Sequence, residues 1–177
     1  FLGAASQRTR RIRLGHGVVQ LTTNQPHRVA EKVSTLDLLS GGRVELGMGE
    51  AAGPAELHPF GIRVRDKRER WEEAVKAIVP MFTRDSWEFH GQYYDFPARN
   101  VIPKPMQKPH PRIWIPGVIS KETIVWAARN GYPYIALNTP VDRTNQIWAM
   151  YDEEAAKVGI KAGPEHHGLL KQIHVAE

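Results

Sequence analysis

Apolar residues recur along this chain in two alternating rhythms, one of short runs and one of three-to-four spacing. The run Ile12–Val19 reads as a strand, and Thr22-Thr23-Asn24-Gln25-Pro26 behind it reads as a turn. Pro26 then opens a helix, where a missing N–H costs nothing. Val29, Ala30, Val33, Leu36 and Leu39 share one face of it. Gly41-Gly42 supplies the left-handed backbone that stops it, and Arg43–Gly49 reads as a second strand. A loop follows to about Arg65. Asp66 and Glu69 form a capping-box pattern, and Trp71, Ala74, Val75, Ile78 and Phe82 keep helical spacing, with Glu72 and Lys76 as an outward i,i+4 pair.

The rhythm is then interrupted. Trp87–Phe96 alternates about Gly91, as a small hairpin does. Pro97, Pro103, Pro105, Pro109 and Pro111 forbid helix and favour an extended crossing. Afterwards the alternation resumes in phase. Arg112–Pro116 reads as a strand, Ser120–Asn130 as a helix ended by Gly131, and Tyr134–Asn138 as a strand. A helix capped by Asp142 ends at Gly159, and Leu170–Val175 reads as the last strand. Strict alternation of strand and helix predicts an α/β fold with a parallel sheet, one core over residues 1–177, and residues 87–111 as an inserted excursion.

Composition narrows the function classes. Of 177 residues, 41% are hydrophobic and 24% charged, enough apolar matter for a core. No window approaches the roughly 18 apolar residues of a membrane span, so no membrane partner is expected. Cysteine is absent, which removes disulfides and a thiol nucleophile and suits a reducing cytoplasm. The net charge is +5. Arg8, Arg10, Arg11 and Arg13 cluster, but no aromatic platform is interleaved, so they read as a solvated corner and no nucleic acid is expected. None of the eight histidines has the spacing of a helical metal site, no metal is expected, and His166-His167 reads as solvated. Phe1–Ala5 resembles the end of a helix begun earlier, and Gln172–Ala176 a strand cut short. Both termini are therefore read as truncated.

In parallel α/β architectures the reactive groups sit on the loops leaving the strands. Gly47, Gly49 and Gly53 have GxGxxxG spacing, but the helix that should meet a pyrophosphate opens only near Asp66. Such glycines more often let a backbone approach a flat ring or a neighbouring strand. His16 and His27 flank a strand exit and a helix start. Each is either a proton donor near a cofactor or a polar residue at a sheet rim. Glu50 has the best placement of the carboxylates. Behind Pro116-Gly117-Val118-Ile119, Ser120 either caps its own helix or, with Thr123, joins free N–H groups in an anion site.

Several longer runs then carry a resemblance. These are Arg11–Gln20, Pro26–Glu50 with its Leu-Asp-Leu-Leu-Ser-Gly-Gly-Arg core at 36–43, Phe60-Gly61, Lys67–Val75 and Gly91–Tyr94. Pro103–Pro111, Glu122–Gly131 and His174–Glu177 continue it. Together they resemble the bacterial luciferase-like flavin monooxygenases over essentially the whole chain. The resemblance implies a (β/α)8 TIM barrel of which this chain supplies about strands three to seven, the excursion falling before the fifth strand. It implies an enzyme, an oxidoreductase using reduced FMN and O2 on an unidentified small organic substrate, with a separate flavin reductase. The same resemblance leaves open a deazaflavin coenzyme used for hydride transfer, and a non-catalytic flavin-binding remnant. It favours a homo-oligomer, or association with the remaining barrel segments.

The resemblance also transfers to positions. Gly17 and Val18 match a bulge, often with a non-proline cis peptide, against the flavin ring. Gly49 and Glu50 match the strand exit beside the ring, and Gly117, Ser120 and Thr123 match the phosphate end. His16 and Glu50 are the expected catalytic residues, orienting peroxide or substrate. The family often has a small Gly/Ser-rich run where this chain has Val118 and Ile119, which are expected to restrict close backbone approach.

Overall fold

A computed structural model describes residues 1–118 and 120–175. Ile119, one of the two bulky residues before Ser120, lies outside the described residues, as do Ala176 and Glu177. The chain divides into two compact units, Phe1–Arg112 and Ile113–Glu177.

The first unit opens with helix α1 (Leu2–Arg8) and strand β1 (Leu14–Gln20). Helix α2 (Pro26–Ser40) begins at Pro26 in its first turn, and Gly41 ends it in the left-handed conformation (φ 69°). Strand β2 (Val44–Gly49) runs parallel to β1. The loop after β2 is more structured than its composition predicts. It contains a four-residue helix α3 (Pro54–Leu57), which Leu57 anchors by being fully buried.

Helix α4 (Lys67–Ile78) buries the predicted face, Trp71, Ala74, Val75 and Ile78. Two expectations about its surface need correction. Asp66 makes no side-chain cap, because Arg63 (2.5 Å) and Arg65 (3.7 Å) take its carboxylate. Glu72 pairs with Arg68 at 2.7 Å rather than serving Lys76, the partner lying one turn before it instead of after.

The excursion forms an antiparallel hairpin, β3 (Trp87–His90) and β4 (Asp95–Arg99). Its turn is held by Glu73 of α4, whose carboxylate accepts the backbone N–H groups of Gln92 (3.0 Å), Tyr93 (2.8 Å) and Tyr94 (2.7 Å). The proline-rich stretch behind it is held by buried Asp37 of α2, which accepts from the Gln107 backbone N–H (2.8 Å) and its side-chain amide (2.7 Å). Gln107 returns a bond to the Val44 carbonyl at 2.9 Å. A buried carboxylate is tolerable only when donors satisfy it, and here they come from a segment seventy residues away.

The second unit holds all but the first residue of β5 (Arg112–Gly117), then α5 (Lys121–Arg129), β6 (Tyr134–Leu137), α6 (Val141–Ala156) and β7 (His167–Leu170). The strands pair in parallel in the order β5-β6-β7. Helix α6 is capped at Pro140, so Asp142 falls inside its first turn instead of before it. The last strand ends at Leu170, five residues earlier than its hydrophobic run predicts. His167 starts that strand and is not solvated. It stacks on Trp148 (ring centroids 4.7 Å apart) and bonds Asp152 at 2.8 Å. Among the described residues, no helix is long and apolar enough to cross a membrane.

Candidate functional site

The exits of β1 and β2 are shaped by a bulge. His16 pairs with Leu46, but Val19 pairs with Met48, so β1 spends one more residue than β2 over this stretch. The extra residue falls at Gly17-Val18, whose peptide bond is cis. The bulge lies close against β2. A Cβ on Gly47 would stand 2.5 Å from the His16 carbonyl oxygen, and one on Gly49 would overlap the Val18 side chain. These two glycines let a neighbouring backbone approach, the role expected of them in place of a dinucleotide turn. Val18 remains 37% exposed, an apolar cover over a Cβ-less strip.

The bulge also reverses which face each side chain takes. His16 is in register with fully buried Leu46, so its ring turns to the side packed by helices. It lines a cleft of about 370 Å³ with Val18 and Gln20 of β1 and with Val29 and Lys32 of α2. Its Nδ1 is buried without a partner, and burial, then Lys32, holds its pKa below the usual histidine value. After the bulge, Gln20 is in register with Gly49 and shares the glycine face. The structure therefore brings Gly17, Val18 and Gly49 together, with Glu50 next in the chain, and His16 lines the same cleft as Val18 and Gln20. His27 packs edge-on against Phe96, with ring centroids 4.3 Å apart, and its pKa is lowered by burial and then by Arg99.

Glu50 follows β2 directly and is no free base. Its carboxylate meets Arg68 at 2.7 Å and Lys67 at 3.8 Å. Arg68 also holds Glu72, and its guanidinium lies 4.7 Å from the centre of the Trp71 ring. The Trp71 indole N–H donates to the Met48 carbonyl at 3.3 Å, tying this cluster to β2. Gln20, Thr22, Glu56 and Arg68 surround the exit and escape a reading of the sequence. Only the Arg68–Glu72 spacing is a signal in advance, and it points to a surface pair. A shallower hollow of about 570 Å³ beside His58, Ile62 and Arg65 lies along the following loop.

In the second unit, Ser120 caps α5. Its Oγ accepts from the Thr123 N–H at 3.4 Å and from the Thr123 hydroxyl at 3.1 Å. The structure thus brings these two hydroxyls together. It adds an anion the spacing does not reveal, because the Ser120 hydroxyl donates to the Glu122 carboxylate at 3.1 Å. Gly117 is demanded by packing. A Cβ there would overlap the hydroxyl of Tyr134, which is itself buried and, among the described residues, without a hydrogen-bond partner. Burial raises that phenol's pKa.

Comparison with known proteins places this geometry. Residues 1–177 match the family model described as luciferase-like monooxygenase. An uncharacterized protein of Sinorhizobium fredii is 34% identical over 99% of this chain and 51% of its own length. The monooxygenase RslO1 of Streptomyces bottropensis superposes with a TM-score of 0.88 and 29% identity, over 95% of this chain and 52% of its own. Two further structures share the fold. The oxygenating constituent of 3,6-diketocamphane monooxygenase from Pseudomonas putida, solved with FMN, has a TM-score of 0.85 at 20% identity, over 95% of this chain and 50% of its own. An F420-dependent secondary alcohol dehydrogenase has 0.81 at 19%, over 95% and 52%. The chain spans about half the length of these proteins. With the family match over every residue and parallel βα units in both parts of the chain, the chain belongs to the luciferase-like monooxygenase family.

Proposed function

We propose that the protein is a flavin-dependent monooxygenase using reduced FMN and O2 on a small organic substrate, with reduced flavin supplied by a separate reductase. In this reading the chain forms part of a (β/α)8 barrel, about strands three to seven, and acts with the remaining barrel segments or as a homo-oligomer. The observation that carries it is the β1 bulge seated on Gly47 and Gly49. It presents Val18 as apolar surface beside a strand exit whose charges are already paired. A flat, largely apolar ring needs such a surface, and a nearby unpaired charge would hold water against it.

Reduced flavin supplies the electrons that activate O2, so the protein's part is binding, orientation and exclusion of water. Gly17, Val18 and Gly49 would support the ring. Glu50, fixed by Arg68, would orient bound groups instead of exchanging protons. His16, on the cleft that Val18 and Gln20 also line, would orient peroxide or substrate. In the second unit, Gly117, Ser120 and Thr123 would serve the phosphate, Ser120 exchanging Glu122 for it.

A second reading, a deazaflavin coenzyme used for hydride transfer, is supported by the F420-dependent secondary alcohol dehydrogenase of the same fold. Titrating the intact protein with FMN and with F420, followed by absorbance and fluorescence, separates the two. Perturbation of FMN together with O2-dependent turnover of reduced FMN is the expected result. Perturbation of F420 alone replaces it with the second reading, and perturbation of neither sinks both.

A further inference from the structure

Directly after Glu50 the backbone does something a side-chain-bearing residue seldom does. Ala51 has φ 110°, in the region that favours glycine. Such a conformation persists where neighbours enforce it. Here three consecutive residues are each held by a side chain from elsewhere. The Thr22 hydroxyl donates to the Glu50 carbonyl at 2.6 Å. The Lys67 ammonium donates to the Ala51 carbonyl at 3.3 Å. Glu56 Oε2 accepts the Ala52 N–H at 2.7 Å and, with the same oxygen, the Gln20 side-chain amide at 2.5 Å.

Glu56 differs from the other two. It sits on α3, a helix too short to hold itself, and it reaches both the residue after Ala51 and the end of β1. Gln20 lies on the glycine face beside the bulge. One carboxylate oxygen therefore joins the turn that presents Glu50 to the strand that carries Val18. We propose that Glu56 is a positioning residue, holding Ala51 in its left-handed conformation so that Glu50 and Gly49 stay aligned with the β1 bulge. What is positioned rests on the flavin reading above, whereas the holding of Ala51 does not.

The test is a cycle of Glu56→Ala, Ala51→Gly and the double variant in the intact protein, read by thermal unfolding and by flavin titration. Glycine adopts this backbone conformation without help, so it should make Glu56 dispensable. Glu56→Ala is expected to lower Tm and weaken FMN binding about tenfold. Ala51→Gly alone should keep binding within about twofold of the parent, and the double variant should recover most of what Glu56→Ala loses. Glu56→Gln, which keeps an acceptor for the Ala52 N–H, should retain most of the affinity. Equal damage from Glu56→Ala with Ala or Gly at position 51 overturns the proposal, as does Glu56→Ala with no effect on Tm or binding. If the parent perturbs neither FMN nor F420, the flavin reading fails and Tm alone decides. Coupled shifts then support the hold on Ala51, and additive shifts reject it.

Discussion

The exit of β2 and the exit of β5 solve the same local problem in opposite ways. At the first, charge is abundant and partnered. Glu50 meets two cations, Arg68 shares itself with Glu72, and backbone groups on both sides of Ala51 are held by side chains. At the second, polar groups are few. Ser120, Thr123 and Glu122 bond one another, and among the described residues one buried phenol beneath Gly117 has no hydrogen-bond partner. The first exit is built before any ligand arrives, and moving one group disturbs several. Under the proposed function, the second would bind through a small set of hydrogen bonds that a better acceptor could take over.

Glycine-to-alanine changes should show the contrast most strongly. At Gly47 the obstacle is the His16 backbone carbonyl, which cannot rotate away, so Gly47→Ala should cost about 3 kcal/mol in chemical denaturation. At Gly117 the obstacle is a side-chain hydroxyl, so Gly117→Ala should cost less, about 2 kcal/mol, and Tyr134→Phe should recover part of it. Gly53→Ala, with open space around it, should change stability by less than about 0.5 kcal/mol. Equal losses at Gly47 and Gly117 would erase the proposed difference in rigidity.

Binding sharpens the second exit. Ser120→Ala with Thr123→Val should weaken FMN binding at least about tenfold, about 1.4 kcal/mol, and leave riboflavin, which lacks the phosphate, nearly unchanged. Equal loss for both ligands would show a folding defect instead. Glu122→Gln removes the carboxylate that competes for Ser120. It should tighten FMN binding severalfold in isothermal titration, an effect of about 0.3–1 kcal/mol for a charge at a helix N-terminus.

The smallest expected effect concerns pH and the first unit. His16 and His27 both have pKa values lowered by burial. Near pH 6 the unfolded chain therefore binds protons that the folded one refuses. Stability is full above the ordinary histidine value of about 6.5 and falls as pH drops through it toward the folded values. Thermal unfolding at pH 7.5 and 5.5 should show the drop. His27→Phe, which keeps a ring against Phe96, should reduce it. A Tm that rises on acidification would contradict the assignment.

The order of strands and helices was legible in the sequence because each element bears its own periodicity. The glycine stops at 41 and 42 and the hairpin about Gly91 were legible for the same reason, each acting within a few residues. What escaped depends on distant partners. The capping box at Asp66 was undone by Arg63, and the face of His16 was settled by register with Leu46. The place of His167 depended on an aromatic ring nineteen residues earlier in the chain. At the candidate site, Gly17, Val18, Gly49 and Glu50 could be named in advance by family resemblance. The residues that secure them could not, because Gln20, Thr22 and Glu56 act through side-chain bonds that no local spacing encodes.

The two carboxylates that bracket the excursion have a consequence for how this region tolerates change. Glu73 fixes residues 92–94 and Asp37 fixes Gln107, so the dozen residues between them are moored at both ends to helices α4 and α2. Lengthening an exposed, unpaired part of the chain between the moorings adds mainly closure entropy, about 0.6 kcal/mol for each doubling. Neither α2 nor α4 need shift to admit it. Strand β4, buried Val101 and Lys104, which bonds the Met81 and Arg84 carbonyls, are further holds within the interval, so the place to graft a reporter peptide or an epitope is exposed Asn100, directly after β4, with Glu73 and Asp37 keeping the strain of the insert away from β1 and β2.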